Sequence, residues 1–267
     1  MPVKGRCTRC ATWFSAKRAA PCRTKLVGLV VVLALLLSAR GHAGARDEPR
    51  IVVGSKRFAE STILAEIAVA TMAASGGVAV SHTEGLGGTA VVYRALEEGS
   101  VDVYPEYTGT LAEAIFHLSG HGDIATLRSA LAAKGIGMSP PLGFNDSYAI
   151  AVSARVSSAR HLTTISDLAG AGDLRLGFSP EFLGRSDGFP GLAAHYGIVA
   201  AHVEELDHGL AYAALARGSI DAIDVYSTDA KIQRYDLRVL TDDRHFFPEY
   251  DAVFLYREAA APTCATR

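Results

Sequence analysis

Two stretches of the chain, Tyr93–Thr108 and Tyr212–Ser227, align on one another without a gap, and this repeat limits the fold more than any other feature. Each reads as the end of a helix, a Gly-Ser turn (Gly99-Ser100, Gly218-Ser219) and a short strand. Each strand opens with an apolar residue and Asp (Val101-Asp102, Ile220-Asp221) and closes on Tyr followed by a hydroxyl residue (Tyr107-Thr108, Tyr226-Ser227). Glycine just past a helix supplies the left-handed cap that ends it. Two copies of one helix–turn–strand unit predict two lobes of related build. In open α/β sheets a ligand sits beyond the carboxyl ends of the strands, so Tyr107 and Tyr226 take equivalent places, one in each lobe.

The chain from Ile51 onward fits that plan. A strand at Ile51–Val53, a helix over Phe58–Ala74, a strand at Val78–Ser81, a helix over Thr89–Glu98 and a strand at Val101–Tyr104 follow one another. The second half repeats the theme with a strand at Leu174–Leu176, helices over Phe189–Tyr196 and Leu210–Arg217, and a strand at Ile220–Val225. Such alternation predicts an α/β protein with mainly parallel strands. Two further apolar strands open with Tyr148 and Tyr250, near the ends of the two lobes. They are expected to be the crossovers of a clamshell, with both tyrosines at the hinge and facing the cleft.

Tyr107, Tyr148, Tyr226 and Tyr250 around one cleft suggest an aromatic box. Such a box binds a cation that has no hydrogen to donate, above all a quaternary ammonium, at ~0.5–2 kcal/mol per ring. Several rings then support micromolar binding, about -8 kcal/mol. Two cations are placed to meet an accompanying carboxylate. Lys56 follows the first strand just before a helix, where an anion is favoured. Arg185, within Gly184–Gly188, offers a bidentate fork from the other half.

The 267 residues suffice for a buried core without a disulfide framework. The charge is uneven. Before Arg46 there are eight basic residues and no acidic ones; from Arg46 onward 18 basic residues face 28 acidic ones, a net charge of -10. An acidic body argues against nucleic acid as a partner. The basic stretch ends at Lys25, and the uncharged run Leu26–Ala39 is too short to span a membrane, which takes about 20 apolar residues. It fits a secretory signal, with Ala43-Gly44-Ala45 as the cleavage motif. Residues 1–45 are therefore expected to be removed on export, leaving Cys264 as the sole cysteine of the mature chain. Cys7, Cys10 and Cys22 fall in the leader, and the Cys7-x-x-Cys10 pair lacks the second pair a zinc site needs.

Several motifs in one order now resemble a known family. They are Gly54-Ser55-Lys56-x-Phe58-x-Glu60, Gly85-Leu86-Gly87-Gly88-Thr89, Tyr104-Pro105-Glu106-Tyr107-Thr108-Gly109-Thr110, Leu142–Ala149, and Asp242-Asp243-Arg244-x-Phe246-x-Pro248-x-Tyr250-Asp251. Together they look like the glycine betaine/choline-binding receptors of osmoprotectant ABC transporters, over about Ile51–Tyr256. The resemblance implies a type II periplasmic-binding fold, with two lobes joined by two crossover strands. It implies lobe 1 over 46–148, lobe 2 over 149–250, and a return crossover over 251–267 that is shortened relative to the family. The family's cage maps onto Tyr107, Tyr148, Tyr226 and Tyr250, and its carboxylate contacts onto Lys56, Thr110 and Arg185, with the backbone at Asp146 nearby. Choline-selective relatives tend to carry an acidic residue at the position of Thr110, so Thr110 resembles the betaine-accepting pattern. A transporter permease is the implied partner. A sensor module for a quaternary amine, or choline or carnitine as main ligand, are the alternatives.

An enzyme reading finds little to stand on. Gly85-x-Gly87-Gly88 lacks the spacing and the lysine of a phosphate loop. Ser179 and Ser186 sit in no G-x-S-x-G elbow. His117 and His121 are interrupted by Gly120, and His208 beside Asp207 reads as a loop or helix cap. No metal or cofactor is expected.

Overall fold

The computed structural model describes residues 50–118 and 123–260. The leader with its cysteines, the cleavage motif, His121 and Cys264 lie outside the described residues.

The chain builds two five-stranded sheets. Strands β1 (Arg50–Gly54), β2 (Ala79–Thr83), β3 (Val103–Tyr107), β4 (Ile136–Met138) and β10 (Ala252–Arg257) form the first, in the order β2-β1-β3-β10-β4. Strands β5 (Tyr148–Ser153), β6 (Arg175–Phe178), β7 (His202–Glu205), β8 (Ala222–Tyr226) and β9 (Leu237–Val239) form the second, in the order β7-β6-β8-β5-β9. The main helices are α1 (Ala59–Ser75), α2 (Thr89–Glu98), α3 (Ile124–Ala132), α4 (Phe189–Tyr196) and α5 (His208–Ala216). The chain crosses between the sheets over residues 139–147 and returns over residues 240–251.

The expectation of mainly parallel strands needs correction. Each sheet has two parallel and two antiparallel pairings, the antiparallel ones made by β10 with β3 and β4, and by β5 with β8 and β9. The reason is the route of the chain. β5 and β10 arrive from the opposite sheet at the cleft edge, where β8 and β3 end, so they must run the other way. Tyr148 and Tyr250 mark these arrivals: Tyr148 opens β5 and Tyr250 stands two residues before β10.

The repeat is structural as well as sequential. Gly99 and Gly218 both take a left-handed backbone, at φ 80° and 72°, after α2 and α5. Ser100 N–H and Ser219 N–H then return to Ala95 and Ala214 carbonyls at 2.9 and 3.0 Å. In the first copy the Asp102 carboxylate accepts from Val52 N–H at 2.9 Å; in the second, Asp221 accepts from Arg175 N–H at 3.0 Å. Each Asp therefore ties the strand after the turn to its parallel neighbour, which fixes where Tyr107 and Tyr226 emerge. β3 begins two residues later than its sequence pattern suggests and runs to Tyr107, because pairing with β10 extends it through Tyr107↔Ala252.

One core fills the first lobe between β3, β10 and the flanking helices, with Leu96, Tyr104, Leu111, Leu127, Leu131 and Leu255 buried. A second lies beneath β5 and β6, around Ile150, Phe178, Phe182 and Leu192, and it also takes in Tyr107, Tyr148 and Tyr250. Burial of each such large apolar side chain stabilises by about 1.5–3 kcal/mol. No helix among the described residues is long and apolar enough to cross a membrane.

Candidate ligand-binding site

Between the sheets is a small cavity of about 20 Å³. Its walls include Lys56, Tyr107, Thr110, Asp146, Tyr148, Arg185, Tyr226 and Tyr250, so the structure brings all eight sequence-derived site residues together. Phe58, Thr89 and Glu181 complete it. Tyr107 and Tyr226 close β3 and β8, and Tyr148 is the cross-strand partner of Tyr226 on β5. Tyr250 is held against Gly109, where a Cβ would stand 2.6 Å from the Tyr250 ring and 2.8 Å from the Glu249 carbonyl oxygen. Glycine is therefore needed at 109 for this ring to reach the cavity. Thr110 is buried where the helical turn after β3 widens into a π-turn over Leu111–Ile115.

The rings form a chain of contacts. Tyr148 and Tyr226 have centroids 5.3 Å apart, and Tyr148 meets Tyr250 edge-on at 5.8 Å. Phe58, which the sequence reading left as a helix-start residue, joins the lobes with centroids 4.7 Å from Tyr226 and 6.0 Å from Tyr107. Burial pushes the hydroxyls of all four tyrosines well above the usual phenol range, with Glu60 reinforcing Tyr107 and Asp187 reinforcing Tyr250. They stay neutral, so no phenolate charge enters the cavity.

The two cations come with carboxylates already attached. Lys56 Nζ pairs with the fully buried Glu106 and lies 5.3 Å from the Tyr107 ring centroid. Arg185 gives Nε to Asp187 Oδ1 at 2.7 Å and Nη2 to Oδ2, and Tyr250 donates to the same Oδ2 at 2.6 Å. Burial works against the Arg185 charge, but the Asp187 carboxylate outweighs it and holds the guanidinium charged. What Arg185 has left to offer a ligand is Nη1; its Cζ lies over the Tyr148 ring, 5.5 Å from the centroid.

Two bonds tie the lobes across the cleft. Thr89 N–H donates to Glu181 at 2.9 Å, and Thr228 Oγ1 meets Glu60 at 2.5 Å. Glu60, Glu106, Asp187 and Glu181 received no role from sequence, although Glu60 and Glu106 sit inside the motifs quoted above and Asp187 two residues from Arg185. Their task is visible only once the fold shows which cation or hydroxyl each one faces.

His208 departs from its sequence reading. Asp207 is the cap of α5, accepting from Gly209 N–H at 2.9 Å, while His208 opens the helix and turns inward. Its ring lies 4.4 Å from that of Tyr226, with Asp224 and Asp229 at 3.5 and 3.7 Å. Burial lowers its proton affinity, but the two carboxylates overcome this and raise the imidazole to about 9. Both ring nitrogens are buried without a hydrogen-bond partner, so the carboxylate charges and the packing of the ring against Tyr226 and Tyr212 hold it in place. His208 also borders a chamber of about 190 Å³ that shares Lys56, Phe58, Glu181 and Tyr226 with the main cavity.

Comparison with known proteins agrees with this architecture. Residues 49–265 match the family model described as the substrate binding domain of ABC-type glycine betaine transport system. The chain is 32% identical to the ergothioneine transport permease/ergothioneine binding protein EgtU of Helicobacter pylori (strain G27), over 88% of this chain and 44% of that protein. It thus spans less than half the length of that relative. It is 30% identical to the glycine-betaine-binding protein of Pseudomonas aeruginosa (strain PAO1), over 86% of this chain and 78% of the other. Among solved structures, a glycine betaine/carnitine/choline ABC transporter protein superimposes with a TM-score of 0.61 at 26% identity, covering 81% of this chain and 85% of that one. The two mixed sheets are those of the type II periplasmic-binding fold.

Proposed function

We propose that this chain, which belongs to the family of substrate-binding domains of ABC-type glycine betaine transport systems, captures glycine betaine or a related quaternary-ammonium compound outside the cytoplasmic membrane and delivers it to a transporter permease. The observation that carries the reading is the chain of rings Tyr107, Phe58, Tyr226, Tyr148 and Tyr250 around one cavity. Ring faces attract a cation that needs no hydrogen-bond acceptor, and Lys56, Thr110 and Arg185 on the same walls suit a carboxylate. The chemistry is capture without turnover, by closure of the lobes on the ligand. The basic leader and the Ala43-Gly44-Ala45 motif support export.

A second reading, a larger betaine such as ergothioneine, draws on the adjoining chamber behind Phe58 and Tyr226 and on the Helicobacter relative. Titration calorimetry of the mature protein against glycine betaine, proline betaine, choline, carnitine and ergothioneine tests both. Micromolar binding of the small betaines supports the first reading; binding of ergothioneine alone supports the second. No heat with any of the five compounds would remove both.

A further inference from the structure

Glu60 lies on the first lobe and reaches the second. One carboxylate oxygen accepts from Tyr107 Oη at 2.6 Å, and the other meets Thr228 Oγ1 at 2.5 Å. The same Thr228 Oγ1 lies 2.8 Å from Asp146 Oδ1, which Thr228 N–H also approaches at 3.2 Å. A hydroxyl has one hydrogen to give. Thr228 can donate it to Glu60 or to Asp146, and the other contact then sets an oxygen lone pair against a carboxylate. The arrangement is satisfied only when one carboxyl carries a proton and donates it back to Thr228 Oγ1. The cations of the cavity do not relieve the pair, because Lys56 is committed to Glu106 and Arg185 to Asp187.

We propose that Glu60 is a positioning residue for ligand binding: it fixes the Tyr107 ring and latches the lobes, and the latch closes with one extra proton held between Glu60 and Asp146. This rests on the reading of the cleft as the ligand site. The titratable groups facing the pair are Tyr107 from β3, with Glu106 behind it, and Tyr212 from α5, which is itself bonded to Asp229 at 2.9 Å. Both tyrosines are neutral in the accessible pH range. Burial first, and then the Glu60 charge, push the Asp146 carboxyl up to about 7. When the lobes part, Glu60 leaves Thr228 and Asp146, and the Asp146 carboxyl returns towards the ordinary value near ~4. A group whose proton affinity is higher in the closed state favours closure at low pH. That advantage falls as pH rises from about 4 to about 7 and is absent above.

The test is calorimetry of the mature protein with glycine betaine and with choline at pH 6.0 and 8.5, in two buffers of different ionisation enthalpy. Small-angle scattering of the ligand-free protein at both pH values accompanies it. Affinity for both compounds should be about tenfold higher at pH 6.0, with close to one proton taken up there and almost none at pH 8.5. Glu60→Gln removes the second carboxylate but leaves Asp146 buried, so the pH dependence and the proton uptake should both shrink; Asp146→Asn removes the titrating carboxyl and should abolish both, and it serves if the first variant does not fold. Equal affinity at both pH values without proton uptake, or uptake retained in both variants, overturns the proposal and leaves the functional reading intact. If neither compound binds, the functional reading falls, and the latch is judged by scattering: compaction at pH 6.0 that Asp146→Asn makes pH-independent supports it, and no pH effect refutes it.

Discussion

Replacing Arg185 by Ala separates the carboxylate role of this residue from its structural one. Arg185 and Asp187 form a buried pair whose side chains are 10% and 3% exposed, and Tyr250 donates to the same Asp187 oxygen. Removing the guanidinium leaves Asp187 buried with one hydroxyl donor, which costs about 3–5 kcal/mol of stability. The single variant therefore weakens the fold and loosens Tyr250 together. The double variant Arg185→Ala, Asp187→Asn removes the stranded charge, so its unfolding midpoint in urea should recover most of the loss. The contribution to a ligand carboxylate then stands alone. A hydrogen bond to a charged group is worth about 1.5–3 kcal/mol, which is roughly tenfold to a hundredfold in affinity. Calorimetry of the double variant should show that loss for glycine betaine and a loss of under about threefold for choline, which has no carboxylate. Equal losses for the two compounds, with stability restored, would refute the assignment of Arg185 to the carboxylate.

Tyr226→Ala removes the ring that touches Phe58, Tyr148 and His208 at 4.7, 5.3 and 4.4 Å; betaine affinity measured by calorimetry should fall tenfold or more, about 1–2 kcal/mol, and Tyr226→Phe should cost less. Gly109→Ala puts a methyl against the Tyr250 ring and the Glu249 carbonyl, so it should cost about 1–3 kcal/mol in urea unfolding and weaken betaine binding while Tyr226→Ala leaves the turn at 109 unchanged. His208 is raised to about 9 from its ordinary 6.5, so the stability it adds is fully present below about pH 6.5 and is lost as pH rises towards 9. The urea stability of the wild type over His208→Gln should shrink by about 1–3 kcal/mol between pH 6 and 10.

The fold was legible where the periodicity was strong. The repeat around Gly99 and Gly218 announced two related lobes, and α2 and α4 run as their patterns indicate, over Thr89–Glu98 and Phe189–Tyr196. Strand direction was less legible, because alternation of strand and helix says nothing about strands that arrive by crossing from another sheet. Of the candidate site, Tyr107, Tyr148 and Tyr226 were legible because they end or open strands, a place fixed by local pattern, whereas Tyr250 lies two residues before the strand it was expected to open. The carboxylates were not. Whether Glu106 is a solvated charge or the buried partner of Lys56 depends on the packing of β3 against β1 and α1, and Glu60 acquires its contact with Thr228 only across the cleft. His208 was read by its neighbour Asp207 in sequence, whereas its position is set by Asp224 and Asp229, one on β8 and one just beyond it.

The central claim is that the ring-lined cavity selects a cation with no hydrogen to donate. Calorimetric titration of the mature protein with glycine, dimethylglycine and glycine betaine measures this directly, since the carboxylate is common to the three and only the methylation of nitrogen changes. Each hydrogen left on nitrogen keeps a strongly hydrated donor that the ring faces cannot satisfy, at a cost of about 1–3 kcal/mol. Glycine betaine should bind in the micromolar range, dimethylglycine about tenfold or more weakly, and glycine not measurably. Glycine binding as tightly as glycine betaine would contradict the account.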